Sequence, residues 1–546
     1  MTDTAARPEA MLAADGTPLK KSLARALRRE KLRALALIAP LLIFVLVTFI
    51  APIAEMLFRS VENQIVSDTL PNTVRALKDW DPETGEIPGE PVFAGLAVDL
   101  QTAAELKIHT KLGSRLNYES PGVSSLFRQS GRKVDDIGKE FQKRFVALDP
   151  AWKSGETWAG LMGSDDWLEA AQGWSRDQGP EPRFKLRKSA ANALPRTGEV
   201  YLAFARDVQA TGRKAVPAEK PWPVLYTALA QDLSAASPED IAAIDGPAAP
   251  LVQAAAAEAD SLASFSYRDA FTGIDKAWDD FSTWEVIKLY SPRYTPAYFL
   301  NAVDLELTPH GIEPAPESER IYLKLFWRTL WMSLLITFCC LALGYPVAWL
   351  LANLPPSKAN LLMILVLLPF WTSLLVRTSA WKILLQQQGV INDLLVWLGL
   401  IDDGNRLVMI NNQFGTIVAM THILLPFMIL PLYSVMKTIP PAYLRAAKSL
   451  GATPWTAFWR VYFPQSVPGI GAGSILVFIL AIGYYITPEL VGGTQGVFIS
   501  NRIAYHISTS LNWGLAAALG TILLAAVLIL YYAYDKIVGI DNVKLG

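Results

Sequence analysis

The chain is 546 residues long, 52% hydrophobic, with 17 Trp and a formal net charge of −1. That length leaves room for two or more domains, and the composition points to a membrane protein that also carries a sizeable soluble part. The only cysteines are the neighbours Cys339 and Cys340 inside an apolar run, which excludes a disulfide framework and makes both small fillers of a packed helix.

In chain order, the first feature is basic. Lys20, Lys21, Arg25, Arg28, Arg29, Lys31 and Arg33 stand against a single acid, Glu30, which predicts a cytoplasmic segment over 1–34. An apolar run over 35–58 follows. A bilayer core of roughly 30 Å takes about 20 apolar residues as helix; this run is too long for a signal peptide and lacks a small-residue cleavage site, so it is expected to stay as a membrane anchor.

Residues 61–320 contain no apolar run of membrane length and form a predicted inserted domain, large enough for its own core. It carries 27 Lys and Arg against 39 Asp and Glu, a net of −12, while the remainder carries 22 against 11. Such an acidic surface suits a soluble extracytoplasmic domain, and its field could concentrate cations or hold a binding protein. Ser164–Gln172 and 249–260 read as helices, and the proline-rich stretches 81–91, 216–223 and 309–316 as loops or linkers. No chemical motif is apparent: His109 and His310 lie far apart, and no Ser/His/Asp grouping stands out. A phosphate loop is missing throughout, since Gly16-Thr-Pro-Leu-Lys-Lys-Ser22 fails the required spacing.

Five further spans are predicted over 326–353, 360–385, 412–436, 468–488 and 514–535, which returns the C-terminus to the cytoplasm. Intramembrane polar groups are costly and usually functional, so Tyr484, Tyr485 and Glu489, closing the fifth span at its outer end, are candidates for a substrate path. A carboxylate between aromatic faces suits an amine cation. Trp371, Thr372 and Trp381, after the kink proline Pro369, are the next candidates, with core packing or an interfacial aromatic belt as the alternative. Arg377 and Lys382 would repel a cation and are expected to snorkel to headgroups or meet acids on a docked protein. Val390–Leu398 reads as an amphipathic interfacial helix over the mouth.

Between the fourth and fifth spans lies Tyr443-Leu-Arg-Ala-Ala-Lys-Ser-Leu-Gly-Ala-Thr-Pro-Trp-Thr-Ala-Phe-Trp-Arg-Val-Tyr-Phe-Pro464. It predicts two short helices, the first ended by Gly451, the second opened by Thr453 as N-cap with Pro454 at its first position. Arg445, Lys448 and Arg460 without an acid place it in the cytoplasm. Ala446, Ala447, Gly451, Phe458 and Pro464 fall where the "EAA" loop of permease subunits of binding-protein-dependent ABC importers has two small residues, a glycine, an aromatic and a closing proline. The chain resembles that family, in its spermidine/putrescine branch, through Leu343-Gly-Tyr-Pro-Val-Ala-Trp349, Leu368-Pro-Phe-Trp-Thr-Ser373, Leu424-Leu-Pro-Phe-Met428 and Pro431-Leu-Tyr433.

The resemblance implies an all-α fold: a six-helix transmembrane permease of the MetI-like type, with helices 2–6 over 321–546, a coupling loop over 438–467 and a mainly helical extracytoplasmic insertion between helices 1 and 2. Family members usually have a much shorter segment there, and Trp284–Tyr298 resembles their lead-in to the second span, so the novel part would lie nearer 65–275. The resemblance makes 441–464 the part that enters a cleft on an ABC ATPase subunit, and it makes Glu489, ahead of Gly492-Gly493, the counterpart of an acid in the polyamine branch. It further implies ATP and Mg bound by that partner rather than by this chain, a second permease subunit or a copy of this one, an extracytoplasmic solute-binding protein and the lipid bilayer as partners, and no nucleic acid. Arg445 departs from the family, which has an acid there. Related branches move opines, phosphonates and other small polar solutes. A secondary transporter would leave the basic elbow unexplained, and a membrane-anchored sensor would need a larger cytoplasmic segment.

Overall fold

The computed structural model describes residues 19–172, 174, 179–212, 214–258 and 265–538. Residues 1–18, the side chains of Lys20, Lys21, Arg25 and Arg29, and the end of the helix expected over 249–260 lie outside that description. Contacts divide the chain into a membrane unit (1–61, 298–304, 315–546) and an inserted unit (62–297, 305–314).

In the membrane unit, five helices among the described residues are long and apolar enough to cross a bilayer: Glu30–Arg59, Tyr322–Asn353, Gln413–Thr438, Pro454–Gly483 and Trp513–Lys536. The span expected over 360–385 is not one helix. Pro356–Trp371 and Leu374–Leu384 meet at 94°, because Pro369 tightens the end of the first into a 3₁₀ turn and Thr372 and Ser373 are extended. The fifth span also ends earlier than expected. Its helix stops at Gly483, Tyr484 is extended, and Ile486–Val491 begins a separate short helix. Pro488 gives the reason: in a continuous helix its ring would collide with the carbonyl of Tyr484, four residues back.

Three spans form the core of this unit. Met332, Ile336, Cys340, Met420, Leu424, Met428 and Val477 are all buried in it. Small residues let the backbones approach: a Cβ on Gly344 would lie 3.2 Å from Met428, and one on Gly473 only 2.7 Å from its sulfur. Cys340 is buried and directs its thiol to the Thr421 carbonyl at 3.5 Å, as a packed filler would.

The inserted unit is a bundle of short helices with a two-stranded antiparallel hairpin, Leu305–Thr308 with Gly311–Pro314. That second strand falls inside the stretch 309–316 expected as a linker. Trp152, Trp158, Trp167, Trp278 and Trp284 are all fully buried. Trp284 and Tyr290, expected as a lead-in to the second span, belong to this core.

Two arrangements occur twice in the inserted unit. Leu70-Pro-Asn-Thr73 opens helix Pro71–Ala76, and the Thr73 amide and hydroxyl donate to Asp99 Oδ2 at 2.8 and 2.7 Å, with the Asn72 amide on Oδ1 at 3.3 Å. Leu194-Pro-Arg-Thr197 opens helix Pro195–Thr211 with the same three bonds to Asp232, at 2.7, 2.8 and 3.4 Å. Even the leucine backbones match, at φ −122°, ψ 52° and φ −127°, ψ 66°. The second arrangement is Asp149-Pro-Ala-Trp152 and Asp275-Lys-Ala-Trp278. Each Asp caps a 3₁₀ turn, and the indole N–H six residues after each Trp (Trp158, Trp284) donates to that Trp's carbonyl at 2.9 Å. The two motifs alternate along the chain but pack crosswise. Trp158 lies edge-on to Tyr226 and stacked on Tyr201, while Trp284 lies edge-on to Phe93. The middle two copies share one half of the core, and the first and last share the other.

Candidate functional site

The elbow between the fourth and fifth spans is built as expected in its first half. Helix Pro441–Ser449 ends in a Schellman motif: the Ala452 amide donates to the Ala447 carbonyl and the Gly451 amide to the Lys448 carbonyl, both at 3.0 Å. Gly451 sits at φ +89° with open space where a Cβ would be, so the backbone angle and not crowding demands glycine. Thr453 caps the next helix, accepting from the Thr456 amide at 3.2 Å, and Pro454 follows at its first position.

The second half differs from the expected separate short helix. Pro454–Ala457 continues through a π turn, Phe458–Tyr462, into Phe463–Gly483 without a break. Pro464 accounts for the turn, since it has no N–H for the Arg460 carbonyl and its ring pushes that carbonyl aside. Phe458 seats this helix edge-on against Tyr345 of the second span, whose hydroxyl bonds Ser466 Oγ at 3.0 Å. The tip is bare and apolar: Leu450 is 89% exposed and Trp455 71% exposed. Arg445 and Ala446 are also exposed, and Ala447 half-buried. Among the described residues no ion pair holds Arg445.

The path candidates are gathered around the two helix breaks. Thr378 on Leu374–Leu384 bonds Thr487 on Ile486–Val491 at 3.2 Å, both hydroxyls buried. Trp381 on the same half-helix donates its indole N–H to His422 Nδ1 of the fourth span at 3.0 Å. Glu489 is exposed, and its Oε2 accepts from the buried Asn501 amide at 2.6 Å. The same Asn501 amide reaches the Tyr485 carbonyl at 2.9 Å, and Ser500 donates to the Tyr484 carbonyl at 2.8 Å. The Tyr484 carbonyl at the break after Gly483 is thus satisfied by a side chain of the following segment, and the Tyr485 carbonyl, which also accepts from the Glu489 amide at 3.0 Å, is bound a second time. Tyr485 is exposed and Tyr484 half-buried. Trp371 is 72% exposed and shares no bond with this cluster.

Sequence reasoning passed over His422, Asn501, Thr378 and Thr487. A lone histidine in an apolar span was a usable signal; the others are ordinary polar residues until the breaks bring them together. Arg377, expected to snorkel to headgroups or meet acids on a docked protein, is half-buried, and its Nε is buried without a hydrogen-bond partner among the described residues. Within 390–398, Asn392 is fully buried and ties the loop to the Gln386 and Leu407 carbonyls at 3.0 Å, while Val390, Leu394 and Trp397 face outward. No cluster of metal-ligating side chains occurs among the described residues.

Comparison with known proteins gives this geometry its context. Residues 343–538 match the family described as binding-protein-dependent transport system inner membrane component. The spermidine/putrescine transport system permease protein PotB of Haemophilus influenzae is 36% identical over 220 residues, 40% of this chain and 76% of that protein. The inner membrane ABC transporter permease protein YdcU of Escherichia coli is 35% identical over 265 residues, 46% of this chain and 82% of that protein. Among solved structures, a bacterial ABC transporter involved in the import of the acidic polysaccharide alginate matches with a TM-score of 0.35 and 18% identity, over 41% of this chain and 80% of its own. The chain is not itself an enzyme, and with its several apolar helices and these relatives it belongs to the MetI-like inner-membrane permeases of binding-protein-dependent ABC importers.

Proposed function

We propose that this permease forms the translocation path for a polyamine of the putrescine/spermidine kind and is driven through loop 441–464 by a separate ATPase subunit that binds ATP and Mg. The observation that carries the substrate reading is the likeness to PotB over three quarters of that protein's length, supported by a carboxylate, Glu489, held beside the Tyr485 backbone by Asn501. The coupling reading is supported by an exposed elbow of fixed shape with a basic, apolar tip. Leu450 and Trp455 would enter the ATPase cleft, and Arg445, in place of the family's acid, would meet an acidic group there. A second permease subunit would complete the path, and a solute-binding protein would deliver to it. The termini and the elbow lie in the cytoplasm and the inserted unit outside.

Uptake of labelled putrescine and spermidine by cells carrying the permease, its ATPase and its binding protein tests the substrate. Glu489→Gln keeps the volume and removes the charge; at a wet mouth that attraction is worth about 1 kcal/mol, so uptake at subsaturating substrate should fall about fivefold while the ATPase stays bound. Uptake of neither polyamine by the parent would refute the substrate reading. Orientation is tested by Ala170→Cys and Trp455→Cys with an impermeant thiol reagent: the first should label in intact spheroplasts, the second only after lysis.

A second reading, import of another small solute such as an opine or phosphonate, is favoured by Arg377. Its buried, unpartnered Nε on the half-helix that carries Trp381 would suit an anionic group.

A further inference from the structure

The duplicated arrangement of the inserted unit encloses a cleft. Helix Pro71–Ala76 with Glu90–Glu105 forms one wall, and Pro195–Thr211 with Pro223–Ala235 the other, around a volume of about 760 Å³. That is the size of a small-molecule site, and the seam between repeats is where such sites tend to form. Each wall is set by one motif copy, with a threonine bound to the carboxylate beneath it, Thr73 to Asp99 and Thr197 to Asp232.

Equivalent positions on the two walls therefore line one cleft, and their chemistry is not equivalent. Two residues beyond Thr73 stands Arg75; two beyond Thr197 stands Glu199; both line the cleft and both are exposed. Of the three other charges on its walls, Glu90 and Arg196 already have partners. Glu90 accepts from the Tyr267 and Arg268 amides at 2.9 and 3.3 Å, and Arg196 lies 3.7 Å from Asp232. Among the described residues neither Arg75 nor Glu199 has an ion-pair partner, nor does Asp79, which lines the cleft on the side of Arg75. The floor between them is apolar, from Ala76, Val98 and Val200. The repeated motif thus carries opposite charges at its two related positions, Arg75 and Glu199.

We infer that this cleft binds a zwitterionic small solute, a short chain with a carboxylate at one end and an ammonium at the other, the carboxylate on Arg75 and the ammonium on Glu199. A diamine would place one ammonium against Arg75, and a dicarboxylate would place one carboxylate against Glu199. The inserted unit is thereby a solute-binding module in its own right, independent of which solute crosses the membrane.

Calorimetry on the full chain in nanodiscs, with three probes of equal length, tests the assignment: 6-aminohexanoate, 1,6-diaminohexane and adipate. The amino acid should bind at least about tenfold tighter than either homobifunctional probe. Arg75→Gln and Glu199→Gln should each weaken it at least about tenfold, and the exchange Arg75→Glu with Glu199→Arg should restore it, because the ligand can turn end for end. All these side-chain changes fall on two exposed positions, and an unchanged melting temperature shows that the fold is kept. No binding of any probe at millimolar concentration, diamine binding that is lost in Arg75→Gln and Glu199→Gln and is as tight as that of the amino acid, or an exchange variant as weak as the single variants would each overturn the inference, whereas diamine binding lost only in Glu489→Gln belongs to the membrane path.

Discussion

The membrane unit and the inserted unit hold themselves together by opposite means. In the first, side chains are kept small where helices cross, at Gly344, Gly469 and Gly473, and polar side chains are concentrated where a helix breaks, at Thr378, Thr487 and Asn501. Apolar neighbours give little driving force in lipid, so close backbone approach and the rescue of freed carbonyls do the holding. The second is built in water from large aromatics, with Trp158 and Trp284 each tied by an indole bond into a 3₁₀ turn. There the burial of wide apolar faces dominates, at about 25 cal/mol per Å². A membrane span therefore tolerates a change of aromatic size that the insertion cannot, and the insertion tolerates a surface glycine change that the elbow cannot.

The largest effect expected from this contrast is in the insertion. Trp284→Ala removes a fully buried indole and its bond to the Trp278 carbonyl, which should cost about 3–5 kcal/mol. Limited proteolysis would then cut within 62–297 while Trp371→Ala, on an exposed membrane-unit position, leaves the digestion pattern unchanged. Equal protease sensitivity in the two variants would erase the distinction. Trp158→Ala should match Trp284→Ala, since the two occupy equivalent places in the crosswise core.

Next is the elbow. Gly451→Val meets no steric obstacle, only φ +89°, so the expected loss is the Schellman turn itself, a strain of order 1–3 kcal/mol. Uptake and co-purification of the ATPase should both drop at least about tenfold while membrane insertion continues; Gly451→Asn, which tolerates the left-handed region better, should lie between. Normal coupling in the valine variant would show that the shape of this loop does not matter.

How much of this was legible depended on where local chemistry decides. Gly451, Thr453 and Pro454 specify their turn from neighbours alone, and the reading of that turn needed no partner. The bend in the third span and the early end of the fifth were not legible because hydropathy does not see geometry: Pro369 and Pro488 sit in runs apolar enough to cross, yet each removes one bond and blocks one carbonyl. The path candidates were visible only in part, as Glu489, Tyr485 and Trp381 are chemically conspicuous while Asn501 stands out only once the fold brings it to Glu489 and the Tyr485 carbonyl. The insertion carried its clue in plain view, Leu-Pro-Asn-Thr with Leu-Pro-Arg-Thr and Asp-Pro-Ala-Trp with Asp-Lys-Ala-Trp. What no local pattern could reveal is that Asp99 and Asp232, well separated from their threonines in sequence, complete each copy.

The smallest effect concerns those two acids, and it has a definite sign. Burial pushes the Asp99 carboxyl from 3.8 up to about 6, against the hydrogen bonds from Thr73 and Asn72 that pull it down. Asp232 is raised by the same cause, with Thr197 and Arg196 opposing. A raised carboxyl means that the folded unit holds a proton which the unfolded chain has released, so stability from this group is greatest at low pH and is lost as pH rises through about 6. Between pH 5 and pH 7 the change should be about 1 kcal/mol. Other carboxylates titrate nearby, so the comparison must isolate one. In Asp99→Asn that titration is absent, and the parent should gain about 1 kcal/mol relative to the variant when thermal unfolding of the full chain is followed from pH 7 down to pH 5. A difference independent of pH would mean that the bonds from Thr73 and Asn72 offset or outweigh burial and that Asp99 is ionised at both values.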